Sequence, residues 1–153
     1  MSNKYMDLAI REAASGITLG DGGPFGSVIV RDGRVVGSGH NRVIVNKDPT
    51  CHGEMEAIRC ACKNLGTHDL SGCELYTTAE PCPMCLGAIM WANIKKVYYG
   101  CTRLDTAQLG FRDDDFYKHI NGEIKVIDLS ECDRENCLEV FKDYKAKSDK
   151  KQY

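Results

Sequence analysis

Four residues in two short motifs have types and spacing that could do chemistry together. They are His52 and Glu54 in His-Gly-Glu, and Cys82 and Cys85 in Pro-Cys-Pro-Met-Cys. Two thiolates three residues apart at a helix start lie on one face, with Cβ atoms roughly 5–6 Å apart, which suits tetrahedral coordination of one ion. A helix N-terminus also favours thiolate over thiol. One imidazole brings the protein ligands to three, and three rather than four leaves a position for water, the mark of a catalytic zinc. Zinc brings the pKa of such a water down to about 7, and Glu54, near the water without being a ligand, could carry its proton. The chemistry this predicts is hydrolysis with one Zn2+ per subunit.

Two other readings of the same cysteines stay in view. One is a closed structural site with Cys51 as fourth ligand, although adjacency to His52 makes joint ligation awkward. The other is a redox C-x-x-C, which leaves H-x-E without a purpose. Cys60, Cys62, Cys73, Cys101, Cys132 and Cys137 read as small apolar side chains in core or edge positions. His40, His68 and His119 have no ligand spacing.

The elements that must position these groups follow from periodicity. Between Tyr5 and Ile17, apolar residues at three- and four-residue steps (Tyr5, Met6, Ala9, Ile10, Ala13, Ala14, Ile17) predict a helix with one buried face, ended by Gly16 and the Gly-Asp-Gly-Gly run. A strand over Phe25–Val30, an Asp32-Gly33 turn and a partner over Val35–Val45, loosened by Gly37 and Gly39, predict a hairpin. Asp48-Pro49-Thr50 precedes a helix stopped at Gly66, which puts His52 and Glu54 in its first turn. Cys73–Thr78 reads as a strand, and Pro81 or Pro83 opens a helix with Cys82 and Cys85 at its start. Strands over Lys96–Gly100 and Ile124–Leu129, with a short helix between, and an amphipathic helix over Glu131–Lys147 complete the order. The expected class is α/β, a three-layer α-β-α sandwich around a central mixed five-stranded sheet.

At 153 residues the chain fits a single domain spanning 1–153, with 42% hydrophobic and 27% charged residues, close to the globular average. No apolar run reaches membrane-spanning length, so no membrane association is expected. Nine cysteines, an odd number, fit reduced thiols in the cytoplasm better than a disulfide scaffold. A net charge of −2 without a dense Lys/Arg patch before the last dozen residues disfavours a nucleic-acid partner and favours a small-molecule substrate.

With these motifs in place the chain resembles the cytidine/deoxycytidylate deaminase superfamily, and within it the guanine deaminase branch. The segments that carry the likeness are GDGGPFGSVIVRDGRVVGSGHNRV, DPTCHGEMEAIRCACKNLG, ELYTTAEPCPMCLGAIMWANIKKVYYG and LGFRDDDFYK, reaching from Gly20 to Lys118. The resemblance implies a cytidine-deaminase-like fold and zinc-dependent hydrolysis of guanine to xanthine and ammonia, with Glu54 as proton carrier. It also implies that Asn41 and the Gly53 N–H bind the purine, that Phe25 and Trp91 wall the pocket, and that Asp113 assists departure of ammonia. A homodimer is implied too, in which a C-terminal segment, about 131–153, is exchanged so that Tyr153 closes the partner's pocket. Two positions depart from the family: Gly53, where alanine is more usual and rigidity is lost, and Ala79, where a larger residue is common. The resemblance leaves open guanosine, cytosine-type bases and transfer-RNA adenosine as substrates. A structural zinc protein or a nucleic-acid-binding module is the non-enzymatic alternative.

Overall fold

The computed structural model describes residues 3–153. Helix α1 (Lys4–Leu19) begins where the Asn3 side chain accepts hydrogen bonds from the Tyr5 and Met6 N–H groups and ends at Gly20, whose φ of 72° turns the chain out of the helix. Strands β1 (Gly26–Arg31) and β2 (Arg34–His40) form an antiparallel hairpin. Asp32 and Gly33 both have positive φ in its two-residue turn, as Asp-Gly predicts. A bulge sets Val30 opposite Val35 after Ile29 opposite Gly37. The short helix α2 (Val43–Asn46) follows, then α3 (Gly53–Leu65), β3 (Glu74–Ala79), α4 (Pro83–Trp91), β4 (Lys96–Cys101), α5 (Arg103–Gln108), α6 (Asp113–Ile120) and α7 (Arg134–Ala146).

The sheet order is β2-β1-β3-β4, with β3 antiparallel to β1 and parallel to β4. Alternation along the strands feeds two cores. Val28, Val30 and Tyr76 pack with Ala9, Tyr5 and Met6 of α1 on one face. Ile29 and Leu75 pack with Ala57, Ala61, Ile89, Ala92 and Ile94 on the other, where α3 and α4 lie. The expected α/β class with helices on both faces of a mixed sheet is therefore present, and none of the described helices is long and apolar enough to cross a membrane.

Four expectations need correction. The sheet has four strands among the described residues, not five: Ile124–Leu129 runs as exposed bends with no strand partner. Its β-branched residues suit a strand, but a strand exists only where another strand supplies the ladder. The second hairpin strand stops at His40, and Val43–Asn46 is a helical turn. The buried stripe of α1 is narrower than the periodicity suggests, because Ile10 and Ile17 are more than half exposed while Ala9, Ala13 and Gly16 are buried. Gly37 and Gly39 do not loosen β2 but let α3 press on it. A Cβ on Gly37 would lie 2.5 Å from the Ala57 carbonyl oxygen, and one on Gly39 would lie 2.5 Å from the Glu56 Cβ.

That close approach predicts the effect of one methyl group. Gly37→Ala should lower stability by about 1–3 kcal/mol through overpacking, read as a lower urea midpoint at unchanged m-value. A variant as stable as the parent would mean that α3 is not seated on β2 as described.

Candidate active site

A pocket of about 440 Å³ opens where β3 ends and where α3 and α4 begin. His52 is the N-cap residue of α3 and Cys82 the N-cap residue of α4, both in extended backbone, with Pro83 at the first turn of α4. The two helix starts face one another, so residues 30 positions apart in sequence meet. His52 Nδ1 lies 3.6 Å from Cys82 Sγ and 3.6 Å from Cys85 Sγ, and the three donor atoms all fall within 4.8 Å of one another.

These separations fit a metal. Zn–S and Zn–N bonds of about 2.3 and 2.0–2.1 Å at tetrahedral angles put neighbouring donors roughly 3.6 Å apart. The electrostatics point the same way. The Cys85 thiol and the His52 imidazole both favour Cys82 as thiolate, lowering its pKa despite its burial. The Cys85 thiol is pushed up by that neighbouring thiolate, by burial and by Glu54. A divalent cation between them would relieve this crowding. The set His52, Cys82 and Cys85 is the one cluster of this kind among the described residues, with Cys51 outside it. Cys51 instead accepts hydrogen bonds from Asn46 and Arg59, so the closed four-ligand site does not form.

Glu54 sits two residues into α3 and is buried. Its Oε1 accepts a hydrogen bond from Thr77 Oγ1 at 3.3 Å, and Thr77 in turn accepts one from Ser27 Oγ at 2.9 Å, which fixes the carboxyl from the sheet side. Its Oε2 lies 3.5 Å from Cys85 Sγ. Burial pushes the Glu54 carboxyl above the usual carboxylate range, and the charge of Cys82 adds to the effect. Asp113, the first residue of α6, is raised for the same two reasons.

Asn41, Phe25, His52, Glu54, Cys82 and Asp113 all line the pocket. Phe25 meets the Phe111 ring edge-on, with centroids 5.0 Å apart. Gly53 lies behind, its α-carbon so close to β1 that a Cβ would sit 3.2 Å from the Phe25 carbonyl oxygen. The missing methyl therefore gives close helix-to-strand packing rather than a loose turn. Ala79 is on the pocket wall.

One expected wall residue is elsewhere, beside the tyrosine expected to reach a partner's pocket. Trp91, at the last position of α4, is 67% exposed and packs against Tyr153 of its own chain at a ring distance of 5.8 Å, and neither lines the pocket. The helix that starts at the metal ligands carries its other end away from them.

Sequence reasoning missed Glu80, Ile44, Met84, Phe111 and Phe116, which also line the wall. The first of these abuts Pro-Cys-x-x-Cys and was findable by proximity. It accepts a hydrogen bond from the Arg103 N–H. The two phenylalanines reach the pocket only because α6 folds back, where Tyr117 donates a 2.5 Å hydrogen bond to the Pro81 carbonyl.

Comparison with known proteins agrees with this geometry. Residues 1–101 match the model of the cytidine and deoxycytidylate deaminase zinc-binding region. The chain is 43% identical to the guanine deaminase of Bacillus subtilis over 151 residues, 97% of each chain. It is 44% identical to the tRNA-specific adenosine deaminase of Aquifex aeolicus over 95 residues, 62% of each. The X-ray structure of the Bacillus subtilis guanine deaminase superposes with a TM-score of 0.90, covering 100% of this chain and 99% of that one at 42% identity.

The purified protein should carry one zinc per chain by elemental analysis, and Cys82→Ala and Cys85→Ala should each reduce this to near zero. Because the ligands must be deprotonated, retention should fall as pH is lowered. Full zinc content in both variants would place the metal elsewhere.

Proposed function

The chain belongs to the cytidine and deoxycytidylate deaminase family, and from that premise we propose that it hydrolyses guanine to xanthine and ammonia. One observation carries the reading: a three-donor metal group and a buried carboxyl share the floor of a largely apolar pocket sized for a small flat ring. The near end-to-end likeness to a guanine deaminase supports the choice of base.

Held by His52, Cys82 and Cys85, zinc supplies Lewis-acid chemistry that readies water for attack at neutral pH. The protein's own groups do the rest. Phe25 packs on the purine, while the Asn41 side chain and the Gly53 N–H hold its edges and turn the amino-bearing carbon C2 toward Glu54. Glu54 takes a proton from the attacking water and delivers it to the neighbouring ring nitrogen, a task for which its raised proton affinity suits it. Glu54 then takes the remaining proton from the added hydroxyl and passes it to the amino group, so that the C2–N bond breaks, C2=O forms and ammonia leaves. Asp113, raised and on the pocket wall, holds that departing nitrogen.

We further place the enzyme in the cytoplasm with its thiols reduced, acting as a homodimer in which residues of about 131–153 cross to the partner. Three features support the exchange. Helix α7 has no buried residue, and its Phe141 is 71% exposed. Ile124, Ile127 and Leu129 are exposed apolar residues on the segment before it. Tyr153 is 79% exposed beside Trp91, outside the pocket of its own chain.

The test is ammonia release from guanine, guanosine, cytosine, cytidine, adenine and a transfer-RNA anticodon stem. Guanine should turn over, and Glu54→Gln should cut kcat by about 10²–10⁴ with zinc content unchanged. Turnover of guanosine or the anticodon stem with guanine inert would keep the hydrolytic mechanism and overturn the substrate. Light scattering should give twice the chain mass, and Phe141→Asp should shift it toward the monomer. A monomeric parent protein would rule out the exchange.

A further inference from the structure

Next to the pocket lies a charge cluster that the reaction as derived does not use. His40, the last residue of β2, has its imidazole between two carboxylates: Nδ1 is 3.1 Å from Glu12 Oε2 and Nε2 is 2.7 Å from Asp21 Oδ2. The same Asp21 oxygen accepts a 2.9 Å hydrogen bond from Arg42 Nη1. The imidazole is 11% exposed, and it fits against α1 because residue 16 is glycine, where a Cβ would sit 2.7 Å from the ring's Cδ2.

This geometry decides the protonation state. A neutral imidazole has one N–H and one lone pair, so one carboxylate would face a lone pair. Only the imidazolium donates to both. It also balances the cluster, in which two carboxylates meet two cations. Burial acts against the charged ring, but the hydrogen bonds and charges of Asp21 and Glu12 outweigh it and raise the pKa of His40. Arg42 opposes that rise through Asp21. Across an open cleft, α3 presents Glu56, Arg59, Cys60 and Lys63, with Glu56 and Arg59 already paired to each other.

The cluster is wired to the substrate edge. Asn41 directly follows His40, its N–H donates to the Phe25 carbonyl, and its Oδ1 accepts from the Val43 N–H, so its side-chain NH2 is the end free to donate into the pocket. Asp21 holds the other side: its carbonyl accepts from the Ile44 and Val45 N–H groups, and its own N–H donates to Gly16. Next to it, Gly22 lies so close over Asn41 that a Cβ there would be 2.1 Å from Oδ1. Losing the ring's charge frees one carboxylate and slackens both segments that grip Asn41.

We propose that His40, held as an imidazolium between Glu12 and Asp21, is a positioning residue that sets Asn41 for purine binding and thereby makes affinity for the base depend on pH. The proposal rests on the reading that Asn41 grips the purine. The sign follows from the raised pKa: the charged state is present at low pH and lost as pH rises through it, so KM for guanine increases on the alkaline side.

The experiment measures kcat and KM for guanine against pH in the zinc-loaded parent, His40→Gln and Glu12→Gln, with nitrogen-15 NMR of the His40 ring and of the Asn41 amide. The parent's KM should rise with the same inflection as the His40 titration. In His40→Gln, KM should be raised about tenfold at neutral pH, the loss of one charge-assisted hydrogen bond, with kcat within about twofold and the inflection gone. Glu12→Gln keeps a hydrogen-bonding partner at a partly exposed position, so it stays folded even where His40→Gln does not, and it should move the KM inflection to lower pH without moving the kcat profile. An inflection unchanged in Glu12→Gln, or kcat lost in step with KM, overturns the proposal. If the parent turns over no guanine, the substrate reading fails on its own. The NMR arm then decides: Asn41 amide resonances that follow the His40 titration sustain the positioning, and resonances that ignore it refute it.

Discussion

Everything at the site depends on a concentration of negative charge that the fold must tolerate. Glu54, Cys82, Cys85 and Asp113 surround one imidazole, and each carboxyl is pushed toward its neutral form by burial and by the Cys82 thiolate. Two helix N-termini aimed at the same point offset part of this, because the first turns of α3 and α4 carry partial positive charge. A bound cation would offset most of the remainder. The arrangement that makes the thiolates good ligands thus also keeps Glu54 ready to hold a proton, and one electrostatic condition serves both needs.

Bringing those helix starts together requires layers that lie unusually close. Small residues make this possible: Ala9, Ala13 and Gly16 on α1, Ala57 and Ala61 on α3, and Gly26, Gly37 and Gly39 on the strands they cover. With a Cβ at Gly26 only 2.3 Å from the Ala9 carbonyl oxygen, α1 would have to lift from β1. The loop from Asp21 to Phe25 would go with it, and so would one wall of the pocket. Along the middle and end of α1 thinness matters more than hydrophobic mass, and Ile10, Ile17 and Leu19 are left outside.

The residues behind the reactive groups are polar and hydrogen-bonded to one another. Thr77, itself held by Ser27, reaches Glu54 from the sheet, Tyr117 ties α6 to the backbone beside Cys82, and the cluster of Glu12, Asp21, His40 and Arg42 braces the segment that carries Asn41. No buried side-chain nitrogen or oxygen among the described residues lacks a hydrogen-bond partner. A buried network of this kind fixes orientation only when complete, so each of these contacts limits where the reactive groups can go.

What the amino-acid sequence determined by itself was the chemistry and the local elements that present it. The spacing of Cys82 and Cys85 around a helix-starting proline points to a pair of metal ligands, because one helical turn brings i and i+3 onto a shared face, and His-x-Glu behind Asp-Pro-Thr points to the third ligand and a proton carrier. Asp32-Gly33, Gly20 and Gly66 likewise mark their turn and helix ends through backbone preference alone. Tertiary structure decided what depends on a distant partner. Ile124–Leu129 is rich in β-branched residues like a strand yet finds no ladder, and Ile10 and Ile17 lie outside a contact made by alanines and glycine. Phe111 and Phe116 enter the pocket because α6 is held back against it by the Tyr117 hydrogen bond and the Arg103–Asp114 ion pair, and His40, unremarkable in the sequence, becomes a charged brace once α1 and the turn after it bring Glu12 and Asp21 to it. Periodicity reports which face of an element can be buried, but not against what. Proximity across 20 or more residues is set by how the layers pack, and no local pattern encodes it.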